Sequence, residues 1–233
     1  MILPSADPPL VEIPALKGRV ANEKQRKRNM LSLEVKNLTK YFGARKVFKG
    51  LNFAVTEHQS LVITGKNGSG KTTLLKVLSG LISPTYGEVL FNSNGNWLEG
   101  KEVKGILSLV TPDLNLYDEL SALENLKFLS QVRGIKFENE ELVEKIEKVG
   151  LKKREDDLVG FFSSGMKQRL KYAFALLNDP RILLLDEPSS NLDKEGISYL
   201  ENVICQQKKR GILILATNNE NEIGYGDQIV NLD

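Results

Sequence analysis

Residues Gly65-Lys66-Asn67-Gly68-Ser69-Gly70-Lys71-Thr72, followed by Thr73, place glycines, a lysine and hydroxyls at the spacing of a phosphate-binding loop. Glycines let the backbone curl until successive N–H groups converge on an anion, and a helix starting at Lys71 adds its positive dipole end. In that arrangement Lys71 reaches the β- and γ-phosphates of a nucleoside triphosphate and the Thr72 hydroxyl sits on Mg²⁺. Gly65, Asn67, Gly68, Ser69, Gly70 and Thr73 complete the expected binding segment. A glycine-rich turn that binds nothing is the plain alternative. The apolar run Leu61-Val62-Ile63-Thr64 before the loop and the helical pattern from Lys71 after it disfavour that alternative, because a strand and a helix are what orient such a loop.

A second pair of chemical groups lies at Asp186 and Glu187, which close the apolar run Leu183-Leu184-Leu185 and precede Pro188. Ligands in open α/β sheets bind at the carboxyl ends of the strands. Asp186 there suits indirect coordination of Mg²⁺, and Glu187 suits orienting or deprotonating an attacking water. An Asp-Glu-Pro turn is common by itself; together with an upstream phosphate loop it becomes specific.

The chain that must position these groups has 233 residues, 41% hydrophobic and 27% charged, which is ordinary for a globular protein with a full core. A formal charge of +2 is too small to make nucleic acid or an anionic membrane surface the main partner. Residues 1–29 carry six basic and three acidic side chains and four of the eight prolines, with no sustained period. They read as a flexible extension, or as the product of a start codon assigned upstream of Met30. The single cysteine, Cys205, excludes an internal disulfide, fits a reducing compartment and reads as a small buried or half-buried thiol. No run approaches the roughly 18 apolar residues of a membrane span.

From Leu31 an alternating strand is followed by a second β segment over residues 47–55, the pair predicting an antiparallel layer beside the loop. Beyond the loop come a helix closed by Gly80, a turn at Pro84 and a strand over residues 88–92. Helical spacing over residues 120–133, 138–149 and 166–177 predicts a helical insertion, with a subdomain running from about 108 to 178. The runs at 182–185 and 212–215 read as buried parallel strands, crossed by a helix over 194–209. The expectation is an α/β protein whose mixed sheet has an antiparallel β layer, plus the helical subdomain.

These segments together resemble the ATP-binding subunit of ABC transporters over nearly all of residues 30–233. Ser163-Ser164-Gly165-Met166-Lys167-Gln168-Arg169 stands where that family's signature stands, and Ser189-Ser190-Asn191-Leu192-Asp193 resembles the loop after the Asp-Glu strand. Phe42, or its neighbour Tyr41, resembles the aromatic that stacks on adenine. The resemblance implies a P-loop NTPase core of ABC type, ATP with Mg²⁺ as ligands, and catalysis by Glu187 and Lys71. It also implies that Ser163, Ser164, Gly165 and Met166 grip the γ-phosphate held by a second subunit, with Asn191 and Asp193 beside them. The partners implied are a head-to-tail homodimer or ABC heterodimer and a separate integral-membrane permease, reached from its cytoplasmic face. Nucleic acid is not expected.

The sequence departs from the family at three points. Where the family has a histidine contacting the γ-phosphate stands Asn218, which can donate an amide hydrogen bond but cannot carry charge or move a proton. No glutamine occurs near residues 109–117, where Asp113 is either the nearest oxygen donor for Mg²⁺ or a turn residue after Pro112. Ser164 and Met166 replace the usual glycine and glutamine of the signature. The expectation is ATP binding with slow turnover. Two functions follow, an energising transport ATPase and a nucleotide-dependent dimerisation switch with little useful hydrolysis. Translation or repair ABC proteins, with paired domains or long coiled coils, fit less well. The phrase Glu119-Leu120-Ser121-Ala122-Leu123-Glu124-Asn125-Leu126 and the compact body are similar to the small haem-exporter ATPase of cytochrome c maturation.

Overall fold

The computed structural model describes residues 30–233, so the extension expected at 1–29 lies outside the described residues. Strands β1 (Ser32–Phe42) and β2 (Arg45–Thr56) form a long hairpin about a turn at Gly43, and β3 (Ser60–Thr64) leads through the glycine loop into α1 (Lys71–Leu78). Next come β4 (Tyr86–Ser93), β5 (Asn96–Leu98), α2 (Lys101–Ile106) and β6 (Leu107–Val110). Helices α3 (Ala122–Val132), α4 (Asn139–Lys148) and α5 (Ser164–Ala175) pack on one another. The chain closes with β7 (Ile182–Asp186), α6 (Lys194–Arg210), β8 (Ile212–Ala216), the single turn α7 (Glu220–Ile223) and β9 (Gln228–Asn231).

Two sheets result. One is antiparallel in the order β2-β1-β4-β5; the other is parallel in the order β6-β7-β8-β3-β9. Every residue of β7 and β8 is buried, which is why these strands read as continuous apolar runs rather than alternating ones. Their side chains still alternate by face. Leu183, Leu185, Leu213 and Leu215 join a core with α3 to α6, whereas Ile182, Leu184, Ile212 and Ile214 join a second core with α1 and the antiparallel layer. The central strands β7 and β8 are thus covered on both faces, whereas the edge strand β9 leaves Ile229 exposed.

The helical elements differ from expectation at their edges. Residues 107–110 form β6, paired with β7, so the helical subdomain begins after the sheet rather than at 108. Helix α3 starts after Ser121, whose Oγ accepts from Glu124 N at 3.2 Å while Ser121 N donates to Glu124 Oε2 at 2.8 Å. Helices α3 and α4 stop just before Gly134 and Gly150, both at positive φ. Cys205 is exposed, contrary to expectation, because the buried stripe of α6 runs through Leu200, Val203, Ile204 and Gln207.

Candidate functional site

Neighbouring parallel strands fix where the chemical groups meet. Because β7, β8 and β3 lie side by side, with Asp186 paired to Ala216 and Ala216 to Ile63, the loops after all three strands emerge together. They carry Glu187, Asn218 and the glycine loop. Gly70 sits at φ +107, and a Cβ there would lie 2.4 Å from Val47 Cγ1, so the turn into α1 needs glycine on both counts.

The Lys71 side chain is buried in this loop cluster. Its ammonium donates to Gly65 O at 2.7 Å and to Asn218 Oδ1 at 2.9 Å, and lies 3.8 Å from Glu187 Oε1. Asn218 Nδ2 in turn donates to Asn67 Oδ1 at 2.6 Å. One amide therefore ties the lysine to the rim of its own loop. The Thr72 hydroxyl donates to Asp186 Oδ2 at 2.6 Å. Burial, only partly opposed by Thr72 and Lys71, pushes the Asp186 carboxyl above its ordinary value.

Asp186 Oδ1 and Ser69 Oγ are buried without a hydrogen-bond partner among the described residues. An orphaned carboxylate oxygen next to a threonine hydroxyl is a hard-oxygen donor set that suits Mg²⁺. No cluster of three His, Cys, Asp or Glu side chains able to hold a metal occurs among the described residues, so a cation here would complete its shell with phosphate and water.

Glu187 holds its backbone at φ +45, a left-handed conformation that costs a non-glycine residue about 1–3 kcal/mol, and its N–H donates to Ala216 O at 2.8 Å. Burial pushes its carboxyl above the ordinary carboxylate value, with Lys71 opposing and Asp186 adding to the rise. A carboxyl with raised proton affinity beside a cation is equipped for base chemistry.

A cleft of about 450 Å³ is lined by Phe42, Asn67, Gly68, Gly70, Lys71, Thr72, Thr73 and Glu187, together with Arg45 and Val47. Phe42 is half exposed there, whereas Tyr41 does not line the cleft and its N–H donates to Thr85 Oγ1 at the foot of the antiparallel sheet. Arg45 and Val47 were not singled out by motif; the hairpin turn at Gly43 is the signal that brings them back beside the loop.

Asp113 is not drawn into the Thr72–Asp186 pair. Its Oδ2 lies 2.5 Å from Lys76 Nζ, one helical turn beyond Thr72, and that hydrogen bond holds the Asp113 carboxyl below its ordinary value. None of residues 163–166 lines the nucleotide-sized cleft. Ser163 caps α5, its Oγ accepting from Met166 N at 3.2 Å, and Ser164 opens onto a separate cavity of about 320 Å³ lined also by Glu187 and Asn191. A Cβ on Gly165 would lie 2.7 Å from Asn191 O. Asn191 is itself at φ +64, and Asp193 caps α6 by accepting from Gly196 N at 2.9 Å. The nucleotide cleft and the signature segment are thus two separate surfaces of one chain, with Glu187 touching both.

A phosphate loop, a cation-ready Asp-Thr pair and a strained glutamate at adjacent strand ends define a triphosphate-binding α/β ATPase. A family model described as "ABC transporter" matches residues 48–190, and the chain belongs to that family. It is 36% identical over 190 residues to the uncharacterized ABC transporter ATP-binding protein YybJ of Bacillus subtilis, covering 82% of this chain and 86% of YybJ. To the cytochrome c biogenesis ATP-binding export protein CcmA of Vibrio cholerae it is 33% identical, covering 81% of this chain and 91% of CcmA. The structure of a putative ABC transporter ATP-binding protein from Pyrococcus furiosus superposes with TM-score 0.72 at 27% identity, over 86% of this chain and 97% of the other. The chain is accordingly an ATP-binding ABC ATPase of the transport class. None of its described helices is long and apolar enough to cross a membrane.

Proposed function

We propose that this chain hydrolyses ATP to drive a separate membrane permease, as one half of a head-to-tail pair on the cytoplasmic face. The observation that carries the reading is the convergence of Lys71, Asn218 and Glu187 on the mouth of the phosphate loop. Lys71 and the loop N–H groups hold the β- and γ-phosphates, and Phe42 supplies a π face for adenine. Thr72 and Asp186 would hold Mg²⁺, which would supply positive charge against the β- and γ-phosphates. Glu187 accepts a proton from a water as its oxygen bonds to the γ-phosphorus; the β–γ bridging P–O bond breaks, and ADP and phosphate leave. Asn218 holds Lys71 and the loop rim in place without taking a proton.

The separation of residues 163–166 from the chain's own nucleotide cleft supports a second copy, or a related chain, whose signature segment completes the site. The helical side supports the permease contact. There Tyr117 and Phe128 stack edge to face at 5.1 Å, Gly160 N donates to Asp118 O, and Phe161 beside them is 85% exposed. The likeness to CcmA favours an exporter, haem or another cargo, with the cargo set by the permease.

A second reading, an ATP-dependent dimerisation switch with impaired hydrolysis, is favoured by one observation, the neutral amide of Asn218 beside Lys71. Comparing the parent with Glu187→Gln separates the two. An ATPase loses turnover and accumulates an ATP-bound dimer in the variant, while a switch behaves alike in both. Isolation of the chain from its native membranes with an integral-membrane subunit tests the transport reading; recovery on ribosomes or DNA instead would sink it.

A further inference from the structure

Tyr172 lies in the middle of α5 and is among the largest fully buried side chains of the protein. Its ring packs in the core, and its hydroxyl is hydrogen-bonded there. Gln168 Nε2, one turn earlier, donates to the Tyr172 oxygen at 3.3 Å, and the Tyr172 hydroxyl donates to Pro188 O. Pro188 directly follows Glu187. A buried hydroxyl without a partner is costly, and a buried carbonyl deprived of its donor costs as much again, so this pair binds two elements rather than merely filling space.

We propose that Tyr172 is a positioning residue that couples the signature segment of α5 to the catalytic glutamate through the Pro188 carbonyl. The rest of residues 188–195 is gripped in the same way from both sides. On the α5 side, Gly165 abuts Asn191 O, and the Arg169 guanidinium lies 3.7 Å from Asp193 and 3.6 Å from Glu195. On the other side, buried Glu222 of α7, four residues beyond Asn218, accepts from Ser189 N at 3.1 Å. The segment therefore spans the surface that meets a partner's phosphate and the loop that holds this chain's own lysine. Displacing α5 pulls on Pro188, and Glu187, already at φ +45, has the backbone least able to absorb the pull unchanged. Burial pushes the Tyr172 phenol far above its ordinary value, so it stays a proton donor throughout the working pH range.

The coupling rests on the reading that Glu187 cleaves ATP, so the test carries one readout that depends on turnover and one that does not. Tyr172→Phe keeps the ring and removes only the donor. The full chain is assayed for kcat and for KM of ATP well below its melting temperature, with Glu187→Gln as the zero of turnover. Amide hydrogen exchange is followed over residues 189–192 and, as a reference, over β7. The expected result is a fall in kcat of about tenfold, KM within about twofold, and exchange at residues 189–192 faster by about tenfold with β7 unaltered. A merely structural tyrosine would lower the melting temperature and leave kcat and the local exchange as in the parent, and that result overturns the coupling. If the parent turns over no faster than Glu187→Gln, the ATPase reading fails by itself. Exchange at residues 189–192 then still decides whether Tyr172 anchors the segment.

Discussion

Asn218 accepts a hydrogen bond from the Lys71 ammonium at 2.9 Å and donates one to Asn67 at 2.6 Å, tying the segment after β8 to the phosphate loop at two points. An amide can hold the lysine's direction but cannot share its charge or move a proton. In the proposed mechanism its contribution is therefore orientation. The arrangement explains how a chain lacking the expected histidine still presents a structured loop mouth, and it places a ceiling on what that mouth can do for the transition state.

Removing the amide separates holding from binding. Asn218→Ala should lower kcat by about tenfold while ATP affinity, carried by Lys71 and the loop amides, falls by no more than about threefold. Steady-state turnover and nucleotide titration read the two quantities. Turnover typical of fast ABC ATPases in the parent, with the alanine variant equally fast, would remove Asn218 from the chemistry.

Glu187 gives a pH prediction with a definite sign. Its carboxyl is raised in the folded state above the ordinary value of 4.5, mainly by burial, so the ionised form is disfavoured by folding. The contribution of such a group to stability is full below the unfolded pKa and is lost as pH rises through the folded one. Glu187→Gln should accordingly melt at a higher temperature than the parent at neutral pH, with the gap closing as pH falls toward 4.5. In the parent, the acid limb of the turnover profile should fall above the ordinary carboxylate range. Melting curves of both proteins from neutral pH down to the ordinary carboxylate value of 4.5, together with a pH–rate profile, check both statements.

The parts of this site legible in the sequence are those whose meaning is local. Residues 65–72 and the pair Asp186-Glu187 each carry their chemistry within a few consecutive positions, and the continuous apolar runs before them announce buried parallel strands. What was not legible depends on register or on distance along the chain. Tyr41 and Phe42 are consecutive, and which of them faces the loop is decided by irregularities in the pairing of β1 with β2 between Leu38 and Tyr41. The Asn218–Asn67 bond joins residues 151 apart, and Glu222 meets Ser189 from 33 positions away. The strand β6 and the four-residue edge strand β9 are too short to show a period; only their pairing with β7 and β3 makes them strands.

Asp113 and Lys76 supply a test of which partner the aspartate serves. The Lys76 hydrogen bond, with Thr111 adding to it, depresses the Asp113 carboxyl, so the pair stabilises the fold above the unfolded pKa and that stability is lost as pH falls through the depressed folded value. Both groups keep contact with solvent, which limits the effect to well under about 1 kcal/mol. Lys76→Met should return the Asp113 titration, followed by carboxyl NMR, toward its ordinary value of 3.8. A carboxyl whose titration instead responds to Mg²⁺ with ATP and ignores Lys76 would be a metal donor.

Two glycines, substituted one at a time, distinguish the two surfaces of the chain. At Gly70 an added Cβ meets Val47 at 2.4 Å and must adopt φ +107, so Gly70→Ala should destabilise the fold by about 1–3 kcal/mol and abolish ATP binding. At Gly165 the Cβ meets the Asn191 carbonyl, at 2.7 Å, and Ser163 Oγ, at 4.0 Å, both outside the nucleotide cleft. Gly165→Ala should therefore bind ATP within about twofold of the parent, because the phosphate loop is untouched, yet fail to form the ATP-dependent dimer and lose about 100-fold or more in turnover. Equilibrium nucleotide binding, size-exclusion chromatography with ATP in the Glu187→Gln background, and steady-state turnover with Glu187 intact measure the three quantities. Loss of ATP affinity in Gly165→Ala would place the signature segment in the chain's own site. Normal dimerisation and turnover would remove it from any site, because the reading of two surfaces completing each other across a pair requires the second surface to be indispensable while the first remains intact.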